Sequence, residues 1–199
     1  MLFRSGLEQA GQTFGDTVVV QGAGALGLYA VAVAKARGAS CVIAIDGVAE
    51  RLELASLFGA DHVIDLTEVT EVRDRAKLVR SWTSGRGADV VVEVVGVPAA
   101  IDEGLKLLAM HGRYVEIGNI NRGRTFDFDP SSFVFSNKTM IGVSLYEPDV
   151  LSRALQFLEQ WQDRIPLSRL GAATYPLERI NEAFAAAESR RDVRASIVM

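Results

Sequence analysis

Apolar positions along the chain come in two rhythms. Short blocks rich in β-branched residues alternate with longer stretches in which apolar side chains recur every three or four positions. The blocks are Val18–Gln21, Cys41–Asp46, His62–Asp65, Asp89–Gly96, Arg113–Gly118 and Thr139–Ser144, and each predicts a strand. The stretches between them predict helices: Ala25–Arg37 ended by Gly38, Ala49–Leu57 stopping at Gly59, Glu71–Trp82 closed by the loop TSGRG, and one opening at Pro98 and running to about Met110. Glycine ends a helix because it takes the left-handed conformation without strain, and proline suits a first helical turn.

Short strands alternating with longer helices predict βαβ units and a parallel sheet. The nearly unbroken apolar run Val90–Val95 fits a strand covered on both faces. The fold class is therefore α/β, a doubly wound six-stranded parallel sheet of the Rossmann kind over residues 15–145. Residues 1–14 read as a linker. In 146–199, Glu147–Trp161 predicts a further helix, and the tail from Thr174 adds a helix and a terminal strand that this sheet does not need.

Composition narrows the class. The chain has 199 residues, 49% of them hydrophobic and 23% charged, as in an ordinary globular protein. A net charge of −4 without a Lys/Arg run argues against nucleic acid as a partner. No apolar run reaches the length of a membrane span, and the N-terminus lacks the hydrophobic core of a signal peptide, so a cytoplasmic location is expected. The single cysteine, Cys41, and the two histidines, His62 and His111, leave no multi-cysteine zinc site. Cys41 reads as a small core residue. No metal ligand and no catalytic residue is assigned.

The most informative stretch is VVVQGAGALGLYAVAVAKARGAS, Val18–Ser40. Gly22, Gly24 and Gly27 have Gly-x-Gly-x-x-Gly spacing after a strand and at the opening of a helix, and Asp46 ends the next strand. This arrangement is the dinucleotide-binding fingerprint. Gly22 permits the tight turn, Gly24 lets the backbone approach a pyrophosphate, and Gly27 lets the helix pack against the sheet. Ala25, Leu26 and Gly27 open the helix, whose N–H groups and dipole favour phosphate. Asp46 is expected to accept hydrogen bonds from the ribose hydroxyls and to repel a 2′-phosphate, which makes the expected cofactor NAD and not NADP.

Several segments in order, GDTVVVQGAGALGLYAVAVAKARGA, ERLELASLFGADHVID, GADVVVEVVG, GRYVEIG and YPLERINEAFAAAES, resemble the C-terminal half of zinc-type medium-chain alcohol dehydrogenases. The resemblance covers residues 7–199; residues 1–5 match nothing in the family and are expected to be non-native. It implies hydride transfer between an alcohol or carbonyl substrate and NAD in the intact enzyme. It also implies that zinc is held only in a GroES-like catalytic domain that this chain lacks, so that the chain alone is inactive. By the same resemblance Arg51 lies near the adenosine ribose, Val95 and Gly96 near the adenine end, and Ile117, Gly118 and Asn119 near the nicotinamide. Arg194 corresponds to a tail arginine that reaches the pyrophosphate in some members.

The family pattern further implies that the tail belongs to the catalytic domain and lacks its partner here. It also implies a homodimer through the edge strand at 139–145. Two other readings stand beside this one: a zinc-free quinone or enoyl reductase of the same superfamily, and a non-catalytic NAD-binding module.

Overall fold

The computed structural model describes residues 2–145, 148–170, 173–189 and 194–199. Six parallel strands form the main sheet: β1 (Thr17–Gln21), β2 (Cys41–Asp46), β3 (His62–Asp65), β4 (Ala88–Glu93), β5 (Leu108–Glu116) and β6 (Thr139–Gly142). Their order is β3-β2-β1-β4-β5-β6, the doubly wound order expected for this fold class.

Successive residues of a strand face opposite sides, and the helices divide accordingly. Val18, Val20, Val42, Ala44, Val90 and Val92 pack beneath α2 (Ala25–Ala36) and α3 (Ala49–Leu57). Val19, Ile43, Val91 and Tyr114 pack beneath α4 (Val72–Trp82) and α5 (Pro98–Leu107). Burial on both faces is why these strands read as continuous apolar runs. Helix α2 buries Gly27, Leu28 and every residue from Ala30 to Ala34, and its small side chains let it lie close to β1.

The chain departs from the sequence expectation in three places. First, Leu2–Gln9 forms a helix, α1, inside the segment read as a linker; Leu7 and Ala10 are buried and Gly6 packs against Val115 and Ile117. Second, the helix from Pro98 stops at Leu107, not near Met110, and β5 begins at Leu108, not Arg113. No connecting loop is needed because two cations from other elements satisfy the last carbonyls of α5. Lys138 Nζ donates to Leu105 O at 2.7 Å and Arg80 Nη2 to Lys106 O at 3.2 Å. A register shift in the β4–β5 pair absorbs the extra residues: Ala88 faces Leu108, but Val90 faces Arg113. His111, in that irregular segment, takes a left-handed φ of 59°.

Third, the terminal strand has a partner. β7 (Ala173–Pro176) pairs in parallel with β8 (Ala195–Val198), with α8 (Ile180–Glu188) between them. Tyr175, Ala183 and Ala186 are the buried residues of this small unit. Two further helices lie between β5 and β7: the short α6 (Pro130–Phe135), which the apolar pattern did not announce, and the 13-residue α7 (Asp149–Trp161). The expected start of the latter at Glu147 falls outside the described residues. No described helix is long and apolar enough to cross a membrane.

Candidate functional site, a crevice at the carboxyl ends of β1 and β4

In a doubly wound sheet the winding reverses between the two central strands, and their carboxyl ends bound a crevice. Here those strands are β1 and β4, paired through Gln21 and Glu93. The loop leaving β1 carries the glycine triplet. Gly22 has φ +94°, which a side chain would strain, and its N–H donates to Ile45 O at 2.8 Å. A Cβ at Gly27 would overlap the Gly22 carbonyl oxygen, so the third glycine holds helix α2 against the turn. Gly24 is different: a Cβ there meets nothing within 4 Å. It is also the N-cap of α2 and puts no side chain on the first-turn N–H groups. Open space above a bare helix N-terminus is what an approaching phosphate requires.

Asp46 closes the other side. Its Oδ2 accepts from Ala23 N–H at 2.7 Å, and its Oδ1 accepts from Gly47 and Val48 N–H at 2.8 and 3.0 Å. The carboxylate thus ties the glycine turn to the end of β2. A carboxylate offers about four lone-pair directions, so these three bonds leave one, on Oδ2. Gly22, Gly24, Asp46, Arg51 and Val95 line a single cavity of about 170 Å³, together with Ile45, Gly47, Leu66 and Val94.

A second cluster forms where the chain leaves β4 and β5. Gly96 (φ +82°) and Gly118 touch backbone to backbone; a Cβ on Gly96 would lie 2.6 Å from Gly118 O. Between the two turns lies Glu93, fully buried at the end of β4. One oxygen accepts from Val95 and Gly96 N–H, each at 2.6 Å. The other accepts from Gly118 N–H at 3.1 Å and Asn119 Nδ2 at 3.3 Å. Burial, and next the neighbouring Glu116 carboxyl, push the Glu93 carboxyl up to about 7. Sequence reasoning did not single out Glu93. Its signal was the single charge interrupting the apolar run Val90–Val95.

Ile117 is placed differently from the rest of its segment. Its side chain is buried in the core beside Gly6, and its N–H donates to Glu93 O at 3.1 Å, so it supports the cleft from behind. Arg194 shares a cavity of about 280 Å³ with Ala25 and Leu26 at the start of α2, walled by Tyr29 and by Leu151 and Leu155 of α7. It therefore lies beside the N-terminus of α2, in mostly apolar surroundings.

His62 and Cys41, candidates for metal or thiol chemistry, have structural roles. His62 stacks on Trp82 with ring centroids 4.2 Å apart. Burial, and next Asp61, push the Cys41 thiol up, away from a reactive thiolate. Among the described residues no group of three or more His, Cys, Asp or Glu is placed to hold a metal ion. These side chains do not fit a zinc ion.

Fold order, glycine turn and acidic strand end together define a nucleotide-binding α/β domain. Residues 25–160 match the family model described as zinc-binding dehydrogenase, and the chain belongs to that family. It is 38% identical over 168 residues to 5-exo-hydroxycamphor dehydrogenase of Pseudomonas putida, covering 84% of this chain and 46% of that protein. Identity to erythritol/L-threitol dehydrogenase of Mycolicibacterium smegmatis is 33% over 195 residues, 96% of this chain and 51% of the relative. Among solved structures, an alcohol dehydrogenase from Thermotoga maritima superposes with a TM-score of 0.91 at 31% identity, over 98% of this chain and 53% of that one. The chain spans about half the length of the relatives it matches.

Proposed function

We propose that this chain binds NAD and forms the nucleotide-binding half of an NAD-dependent, zinc-type alcohol dehydrogenase acting on a small alcohol or its carbonyl. The observation that carries the reading is Asp46, buried at the end of β2, hydrogen-bonded to the glycine turn and lining the same cavity as that turn. Gly22, Gly24, Ala25, Leu26 and Gly27 would hold the pyrophosphate, Asp46 and Arg51 the adenosine ribose, and Val95, Gly96, Gly118 and Asn119 the walls of the crevice. NAD, when bound, supplies a hydride-accepting carbon; the residues here bind and orient it and exclude water. Any zinc would be held by residues other than these, and no turnover of simple alcohols is expected from this chain alone.

Calorimetry tests the reading. Wild-type protein should bind NAD⁺ more tightly than NADP⁺, because the 2′-phosphate would face the Asp46 carboxylate. Asp46→Asn should narrow that preference by about tenfold, on the order of 1.4 kcal/mol for one charge-assisted hydrogen bond and the lost repulsion. Equal or tighter NADP⁺ binding by the wild type would overturn the assignment.

The same reading includes a homodimer through β6. Thr139, Met140 and Gly142 are exposed along this edge, with Ile141 half-buried, and the strand has no proline or charge to block pairing. A two-fold axis would resolve such an edge by an isologous contact. Val143, next along the chain, is buried in the core, so a charge there would unfold the sheet and report nothing about association. Met140→Lys is the informative variant. Sedimentation should show a dimer for the wild type and a monomer for Met140→Lys, and a monomeric wild type would remove the proposal.

A further inference from the structure

The glycine turn and Asp46 account for one half of the crevice; the other half is held by acids that the cofactor fingerprint does not include. Glu93 receives four N–H donors from two separate turns, Val95 and Gly96 from one, Gly118 and Asn119 from the other. Glu116, one strand over, pairs with it across the β4–β5 ladder. Its Oε1 accepts from Asn119 N–H at 2.9 Å and from Asn119 Nδ2 at 3.1 Å. Its Oε2 is buried without a hydrogen-bond partner. A buried carboxylate oxygen left bare costs about 1–3 kcal/mol or more, and two adjacent buried carboxylates repel.

We infer that Glu93, with Glu116 beside it, is the positioning clasp of the cofactor cleft, holding the turns after β4 and β5 against one another. The inference rests on the NAD-binding reading above. With Glu93 protonated, its hydroxyl takes up an acceptor position and leaves fewer lone pairs for its N–H donors. With both ionised, Glu93 accepts all four N–H groups as charge-assisted bonds. Four charge-assisted bonds outweigh the repulsion from Glu116, and the cleft walls are held more firmly as the proton leaves Glu93.

Other ionisable groups do not replace this proton. Tyr114 on β5 stays neutral, because burial and then the charges of Glu116, Glu93 and Glu103 raise it far out of range. Glu103 on α5 is paired with Arg75 on α4, so that cation is engaged away from Glu93. Burial is the largest cause of the raised Glu93 value and Glu116 the next, so the proton leaves near pH 7. NADH affinity should then rise from pH 6 to pH 8.

The experiment uses the whole chain. NADH fluorescence titrations from pH 6 to 8.5 are compared for wild type, Glu93→Gln, Glu93→Ala and Glu116→Gln. Amide exchange at Val95, Gly96 and Gly118 is followed without ligand. Wild-type affinity should improve roughly threefold across neutrality, with slow exchange at those three amides, as expected when charge-assisted bonds are gained. Glu116→Gln should shift the transition to lower pH. Glu93→Gln should flatten it and weaken NADH. Glu93→Ala should speed exchange at all three amides.

If Glu93→Gln keeps the wild-type pH profile, or the amides stay protected in Glu93→Ala, the clasp is wrong while NAD binding stands. If Glu93→Ala does not fold, the two glutamine variants decide alone. A wild type with slow amides that binds no NADH overturns the cofactor reading, and with it the role assigned to the clasp.

Discussion

The Gly24→Val chain is expected to fold as the wild type does and to bind neither NAD⁺ nor NADP⁺. Gly24 has φ −70° and ψ −174°, ordinary extended values, and a Cβ there meets nothing within 4 Å. Losing glycine as an N-cap costs about 1 kcal/mol or less, so thermal unfolding should move only slightly. The valine would fill the space through which a pyrophosphate reaches the N–H groups of α2. Losing two charge-assisted hydrogen bonds at ~1.5 kcal/mol each is a drop in affinity of about 100-fold or more. Gly27→Ala is the contrasting variant, because its Cβ would overlap the Gly22 carbonyl and the damage would be to stability. Calorimetry and melting measured on both variants separate a binding glycine from a packing one. Normal NAD⁺ binding by Gly24→Val would show that the phosphates do not lie on this turn.

The second large effect is expected inside the protein. Arg75 on α4 and Glu103 on α5 form an ion pair that is almost entirely buried. Arg75 Nη1 also donates to Val69 O and Thr70 O at 2.6 and 2.7 Å. Gln21 Nε2 donates to Glu103 Oε2 at 3.0 Å and to Ala100 O at 2.9 Å, while Tyr114 OH donates to Gln21 Oε1 at 3.3 Å. This network joins two helices to β1 and β5. Arg75→Leu should lower the unfolding free energy by about 3–5 kcal/mol, because it strands a buried carboxylate and two carbonyls. Adding Glu103→Leu should recover part of the loss, since replacing both charges by apolar groups is far less costly than removing one. Urea unfolding of the single and double variants measures the difference; a loss under 1 kcal/mol in Arg75→Leu would mean that water reaches Glu103.

These buried polar groups also mark the limit of what sequence reading recovers. Strands such as Cys41–Asp46 and helices such as Ala49–Leu57 were legible to the residue, because apolar periodicity and flanking glycines are local signals. The turn after β1 and the acid at the end of β2 were legible for the same reason, since both are set by spacing along one βαβ unit. The start of β5 was not legible. It depends on Lys138 and Arg80, which lie far from Leu108 along the chain and meet the end of α5 only in the folded state. Glu93 shows the same limitation. A single acid in an apolar strand is visible, but its four donors come from two turns that the sheet brings together. Ile117 lies in the core, as an apolar residue at the end of a buried strand should, and it meets the crevice only through the N–H that it donates to Glu93 O.

The small β7–α8–β8 unit has a thermodynamic consequence. Two strands with three fully packed side chains beneath one helix bury little apolar surface, and a two-stranded sheet is marginal by itself. The six-stranded sheet, buried on both faces, is the cooperative part of the molecule. The chain should therefore unfold in two stages, its last residues opening well before β1 and β4 do. A single melting temperature would describe the large sheet alone, and ligands that tighten the crevice would raise it.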